Sequence, residues 1–175
     1  MVTTRGFDGM IRMLSKYGQE LKNGDAQYLA LCANIAHKAA DTLEKRYGLP
    51  VLYIIYFLDQ GIVNHAFKNV GLLATRASRL RERYGLEVFV PMKGFGEQAD
   101  RLIFDELSKQ PVSQEVKTTF EDAYASLLRD HQVDCVALAC TELRLVFIAD
   151  ELNVPAFETT TLHAKGIAEW ALQKE

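Results

Sequence analysis

Two of the three cysteines occupy the same place in two similar segments. YLALCANIAH (residues 28–37) and DCVALACTEL (residues 134–143) are apolar runs ending in a cysteine, followed by a small residue or threonine and then a polar side chain. If both runs are strands of an open parallel sheet, Cys32 and Cys140 lie at the carboxyl edge, where ligands bind. Each precedes an expected helix start, whose unpaired N–H groups favour an anion and lower a thiol pKa. Related by an approximate two-fold, two such thiols face each other. One then removes a proton from one face of a carbon while the other returns a proton to the opposite face, which inverts a chiral centre without oxidation. One cysteine must be a thiolate and its partner a thiol. A free thiol titrates near about 8.5, so a modest adjustment suffices. The costly part is the carbon acid, whose anion needs hydrogen-bond donors over the substrate carboxylate. The residues alone leave two other readings open: two structural core cysteines, or a single cysteine nucleophile. Cys135 opens its run, and its odd offset from Cys140 sends the two side chains to opposite faces. It reads as a core residue.

The elements that must position these thiols alternate. Phe7, Ile11, Leu14 and Leu21 have helical spacing, which predicts a helix over 7–22. AQYLALC fits a buried parallel strand. Asn34 then caps a helix over IAHKAADTLEKRYG, closed by Gly48 and Pro50. VLYIIYF reads as the next strand, followed by a helix to about residue 67 and a strand at VGLLAT. Beyond the arginine-rich ASRLRERYG, LEVFVP is a strand, and EQADRLIFDELSKQ and SQEVKTTFEDAYASLLRDH are helices. DCVALAC is a strand, ELRLVFIADE a short helix, VPAFET a strand, and TLHAKGIAEWALQ the final helix. This alternation predicts an α/β protein built on mainly parallel sheets.

Composition narrows the function classes. A hydrophobic fraction of 49% and a charged fraction of 25% are those of an ordinary globular chain. The net charge of -3, with both signs mixed along the chain, offers no footprint for nucleic acid or an anionic membrane. No apolar run is long enough for a membrane span. An odd cysteine count without CxxC points to a reducing cytoplasm. His65 and His131 lack ligand-like neighbours, and GLLATR has too little glycine for a phosphate loop, so neither metal nor nucleotide cofactor is expected.

CANIAHKAAD and ACTELRL resemble the two cysteine segments of the aspartate/glutamate racemase family. VGLLATR, IFDEL and FETTTLHAKGIAEWAL extend the resemblance over most of residues 25–172. It implies a cofactor-independent racemase of an acidic or related amino acid. It also implies two pseudo-symmetric α/β domains, frequent dimerisation, and a substrate held in the interdomain cleft between two cysteines. Carried over by residue, Cys32 and Cys140 are the acid/base pair, and Asn34 holds the substrate's polar groups. Thr141 helps bind substrate, Glu142 orients the amino group or tunes the thiol, and His163 lies near the second cysteine. His37 matches the histidine of the first motif and reads as structural. Taken without the resemblance, Asn34 and Thr141 also read as helix caps, which does not exclude substrate contact, and Glu142 as an exposed first-turn carboxylate. The two sulfurs are expected roughly 7–8 Å apart, flanking one α-carbon.

The chain also departs from that family. The usual opening strand and glycine-rich loop are not matched, and a segment between Ala77 and Leu80 is shortened. Position 33 is alanine where threonine is usual. The expected organisation is a truncated first unit over 1–68, completed by 155–175, and a second unit over 69–154. An exposed sheet edge would either be covered by a homodimer or leave a truncated, weakly stable relic of the family. Two further functions stay in view: a noncatalytic binding protein on a racemase body, and a hydrolase or decarboxylase using one cysteine.

Overall fold

The computed structural model describes residues 4–74, 85–92, 94–107 and 111–173. The shortened segment between Ala77 and Leu80 and the arginine-rich ASRLRERY lie outside the described residues. Helix α1 (Thr4–Asn23) leads to β1 (Leu29–Ala30), a 3-10 turn (Asn34–Ala39), α2 (Ala40–Tyr47), β2 (Val51–Leu52) and α3 (Ile54–Val63). The remainder runs β3 (Asn69–Leu73), β4 (Glu87–Phe89), α4 (Phe95–Leu102), α5 (Gln114–Asp130), β5 (Cys135–Leu138), β6 (Ala156–Glu158) and α6 (Thr159–Leu172). Among the described residues all strand pairs are parallel. β1 and β2 form a two-stranded sheet, and the other four are ordered β4-β3-β5-β6. The α/β class expected from the alternation is the one observed.

Strand alternation sorts the larger sheet into two apolar layers. On one face Val70, Leu72, Cys135, Ala137 and Ala139 pack with Leu58 and Ile62 of α3 and Leu162 of α6. On the other, Leu73, Val136 and Leu138 meet α4 and α5 through Phe95, Ala99, Val116 and Phe120. A third cluster joins α1 and α2 to the small sheet through Leu14, Leu29, Leu43 and Tyr47. α6 lies closely on α3. A Cβ on Gly166 would fall 2.0 Å from the Phe57 ring, and one on Gly61 would fall 3.1 Å from Leu162. β6 belongs to the four-stranded sheet, whereas α6 returns toward β1, where Trp170 meets Tyr28 edge-on.

Local signals account for several boundaries. Ser113 caps α5 by accepting from Val116 N–H at 3.3 Å. Gly48 ends α2 at φ 67, a left-handed conformation that glycine adopts without strain. Other expectations are corrected. Only Val51–Leu52 of VLYIIYF is strand; from Ile54 the chain is helical, burying Ile54, Leu58 and Ile62. A continuous apolar run carries no period, so tertiary packing decides its state. The segment after Cys32 starts as a 3-10 turn rather than an α-helix, ELRLVFIADE forms two short 3-10 pieces, and IFDEL widens into a π turn. Neither Asn34 nor Thr141 caps a helix: the cap positions are Ala33 and Cys140, without side-chain cap bonds.

Candidate functional site

Both cysteine motifs are built alike. β1 ends at Ala30 and β5 at Leu138, each cysteine follows two residues later, and a 3-10 turn begins soon after. Cys32 is exposed, its sulfur 4.0 Å from the Ala30 carbonyl. Cys140 is half-buried against the α4/α5 layer, whereas Cys135 is fully buried in the α3/α6 layer. The odd offset thus places the two on opposite faces, as expected. Burial pushes the Cys135 thiol up to about 12, with Asp134 adding to it.

Cys140 departs from the expected anion-favouring environment. Its thiol donates to Glu142 Oε2 at 2.9 Å, and the Thr141 hydroxyl donates to the same oxygen at 2.7 Å. Burial first, then the hydrogen bond and charge of Glu142, push this thiol up to about 12. The backbone N–H groups of Glu142 and Thr141 act in the other direction and are outweighed. A helix start alone does not lower this thiol's pKa, because desolvation and the neighbouring carboxylate both disfavour a thiolate. Cys140 is therefore a proton-bearing thiol at neutral pH.

Asn34 joins the two motifs. Its Nδ2 donates to Thr159 Oγ1 at 3.2 Å, and that hydroxyl donates to the Leu138 carbonyl at 3.3 Å. Sequence reading missed Thr159, the fully buried first residue of α6. Its signal was weak, because three consecutive threonines follow β6 and only packing decides which turns inward. Thr161 instead donates to the Glu158 carboxylate at 2.7 Å.

The two motif histidines brace a junction. His37 Nδ1 donates to the Ala33 carbonyl at 3.0 Å, while its Nε2 accepts from Ile54 N–H at 3.0 Å. This second bond needs a neutral ring and satisfies one of the unpaired donors at the start of α3. His163 Nε2 donates to the Leu52 carbonyl at 3.0 Å from a buried position, 6.0 Å from the His37 ring. Burial lowers both pKa values; backbone hydrogen bonds oppose this in each, and the nearby His37 lowers that of His163 further. His163 is therefore committed to the β2–α3 junction. A cleft of about 630 Å³ beside this junction is lined by Asp41, Leu52, Tyr53, Tyr56, Phe57 and Trp170, and by neither cysteine. Among the described residues no group of three or more His, Cys, Asp and Glu is arranged to hold a metal ion. No described helix is long and apolar enough to cross a membrane.

Comparison with known proteins gives this geometry a setting. The chain matches 93% of its length to 74% of a Yersinia pestis protein described as a candidate Asp/Glu racemase, at 31% identity and TM-score 0.80. It matches 97% of its length to 77% of an aspartate racemase homologue from Pyrococcus horikoshii, at 25% identity and TM-score 0.77. The glutamate racemase of Francisella tularensis, solved with D-glutamate, shares the fold at 16% identity and TM-score 0.70, over 98% of this chain and 66% of that one. Residues 9–167 match the family described as Asp/Glu/Hydantoin racemase. Fold and family together support a racemase-type function, and the chain belongs to the Asp/Glu/hydantoin racemase family.

Proposed function

We propose that this protein racemises a small amino-acid carboxylate, aspartate or glutamate, by cofactor-independent proton transfer between Cys32 and Cys140. The observation that carries the reading is the Cys140 thiol donating to Glu142 at 2.9 Å. A two-base inversion needs one protonated thiol, and here burial and the Glu142 carboxylate keep it so. In one direction the Cys32 thiolate takes the α-proton, and the Cys140 thiol delivers its proton to the opposite face of the carbanion. Cys32 is left as a thiol and Cys140 as a thiolate, and the reverse reaction restores both. A Cys140 thiolate beside the Glu142 carboxylate is repelled, so Glu142 must accept a proton or solvent must reprotonate the sulfur between turnovers.

In this reading Asn34 and Thr141 meet the substrate's polar groups, and Glu142 tunes the thiol. His163 acts by holding the β2–α3 junction. The three free cysteines fit a reducing cytoplasm. A homodimer would cover the apolar stripe of Met13, Tyr17 and Leu21 exposed on α1. The unit boundary near residue 68 belongs to the same proposal.

The test is deuterium incorporation at the α-carbon of L- and D-aspartate and of L- and D-glutamate in heavy water, followed by loss of optical purity. Exchange from both hands, abolished as full racemisation in Cys32→Ser, supports the reading. Folded protein that exchanges neither enantiomer of either acid overturns it, and binding without exchange would favour a noncatalytic receptor.

A further inference from the structure

Thr159 lies at the meeting point of the two cysteine motifs without being able to touch a substrate. It is fully buried, its neighbour Asn34 is two residues beyond Cys32, and its other partner Leu138 is two residues before Cys140. A hydroxyl has one proton and two lone pairs. The carbonyl of Leu138 can only accept, so the proton of Thr159 goes there. What faces Thr159 from the other side must then donate, and the amide nitrogen of Asn34 does so at 3.2 Å. The sense of the whole chain, Asn34 to Thr159 to Leu138, is set by one backbone carbonyl at the end of β5.

We infer that Thr159 is a positioning residue of the site: its hydroxyl orients the Asn34 amide and ties the first cysteine loop to the end of the second cysteine strand. This deepens the racemase reading and rests on it. With one Nδ2 proton given to Thr159, the orientation of the amide is fixed: Oδ1 is held to accept from the ammonium of an amino acid, and the second Nδ2 proton remains to donate to its carboxylate. A displacement of about 1 Å in such a constellation costs on the order of 100-fold in rate. The tie therefore acts on both substrate orientation and the spacing of the thiols.

The experiment compares wild type with Thr159→Val, Thr159→Ser, Asn34→Ala, Asn34→Asp and the Asn34→Ala/Thr159→Val pair. One arm follows hydrogen exchange of the Asn34 side-chain amide by nitrogen-15 NMR. The other follows α-proton exchange on aspartate and glutamate. We expect the Asn34 amide to be protected in wild type and Thr159→Ser and to exchange freely in Thr159→Val. We expect kcat/KM to fall roughly 10- to 100-fold in Thr159→Val and to recover in Thr159→Ser. In the Asn34→Ala background, Thr159→Val should cost less than about 2-fold more, because both changes cut one chain. A threonine serving only the core would lower activity equally in both backgrounds, and that result overturns the inference. So does an Asn34 amide equally protected in Thr159→Val. If Thr159→Val fails to fold, Asn34→Asp decides: it keeps the shape but has no donor, and full activity in it refutes the relay. Wild type that exchanges no α-proton removes the racemase reading, and the amide arm then decides the relay alone.

Discussion

Glu142→Gln isolates the charge beside Cys140, since glutamine keeps the side chain's shape and an accepting oxygen. In the native protein burial, then the bond and charge of Glu142, raise the thiol above its ordinary range to about 12. Two unit charges about 4 Å apart interact by about 1 kcal/mol in bulk water and about 4 kcal/mol at the dielectric of a protein surface. At about 1.36 kcal/mol per pH unit, losing the carboxylate charge lowers the midpoint by between about 0.7 and 3 pH units. Burial is the larger cause and is untouched, so we expect a fall of about 1–2 pH units, leaving the thiol above the ordinary range. The assay is the rate of Cys140 alkylation by iodoacetamide against pH in a Cys32→Ser background, with the adduct located by peptide mass. The pH profile of α-proton exchange should move down with it. A midpoint unchanged by Glu142→Gln, or a wild-type midpoint in the ordinary thiol range, would refute the assignment of Cys140 as the proton-bearing partner.

The three cysteines should separate by readout. Cys32→Ser and Cys140→Ser should each abolish full racemisation while retaining exchange on one enantiomer, opposite for the two variants. Cys135→Ser should leave exchange intact but lose about 1–3 kcal/mol in urea melts, because it buries a hydroxyl among apolar neighbours. Acid should weaken the fold through His37 and His163. Their folded pKa values lie below the ordinary 6.5, so the unfolded chain binds more protons. Stability is then full above about 6.5 and falls as pH drops toward the folded values, at no more than about 1.4 kcal/mol per pH unit per histidine. Urea midpoints of wild type and His37→Asn between neutral and mildly acidic pH check this, the variant showing the flatter profile. Gly166→Ala should destabilise by about 1–3 kcal/mol despite alanine's better helix propensity, because its Cβ meets the Phe57 ring; a melt at or above the wild-type midpoint would contradict that packing.

Much of this molecule is decided locally and was legible in the chain itself. The opposite destinies of Cys135 and Cys140 follow from strand parity alone, because a period of two leaves no choice once DCVALAC is a strand. Ser113 and Gly48 mark helix boundaries through their own chemistry, a side-chain acceptor in one case and freedom at positive φ in the other. The paired cysteine motifs and their shared strand edge were likewise readable. Other features depend on partners far away in sequence. VLYIIYF holds no period of its own; its helix starts where His37 accepts the Ile54 N–H and where α6 lies against Phe57 through Gly166. Asn34 reads as a cap by residue type, but its amide is claimed by a threonine 125 residues later. The protonation of Cys140 turns on burial and on the direction in which Glu142 points, and a helix-start rule contains neither quantity. Covalent neighbours set backbone preference and side-chain parity, whereas desolvation and hydrogen-bond partnership exist only once distant segments are packed together.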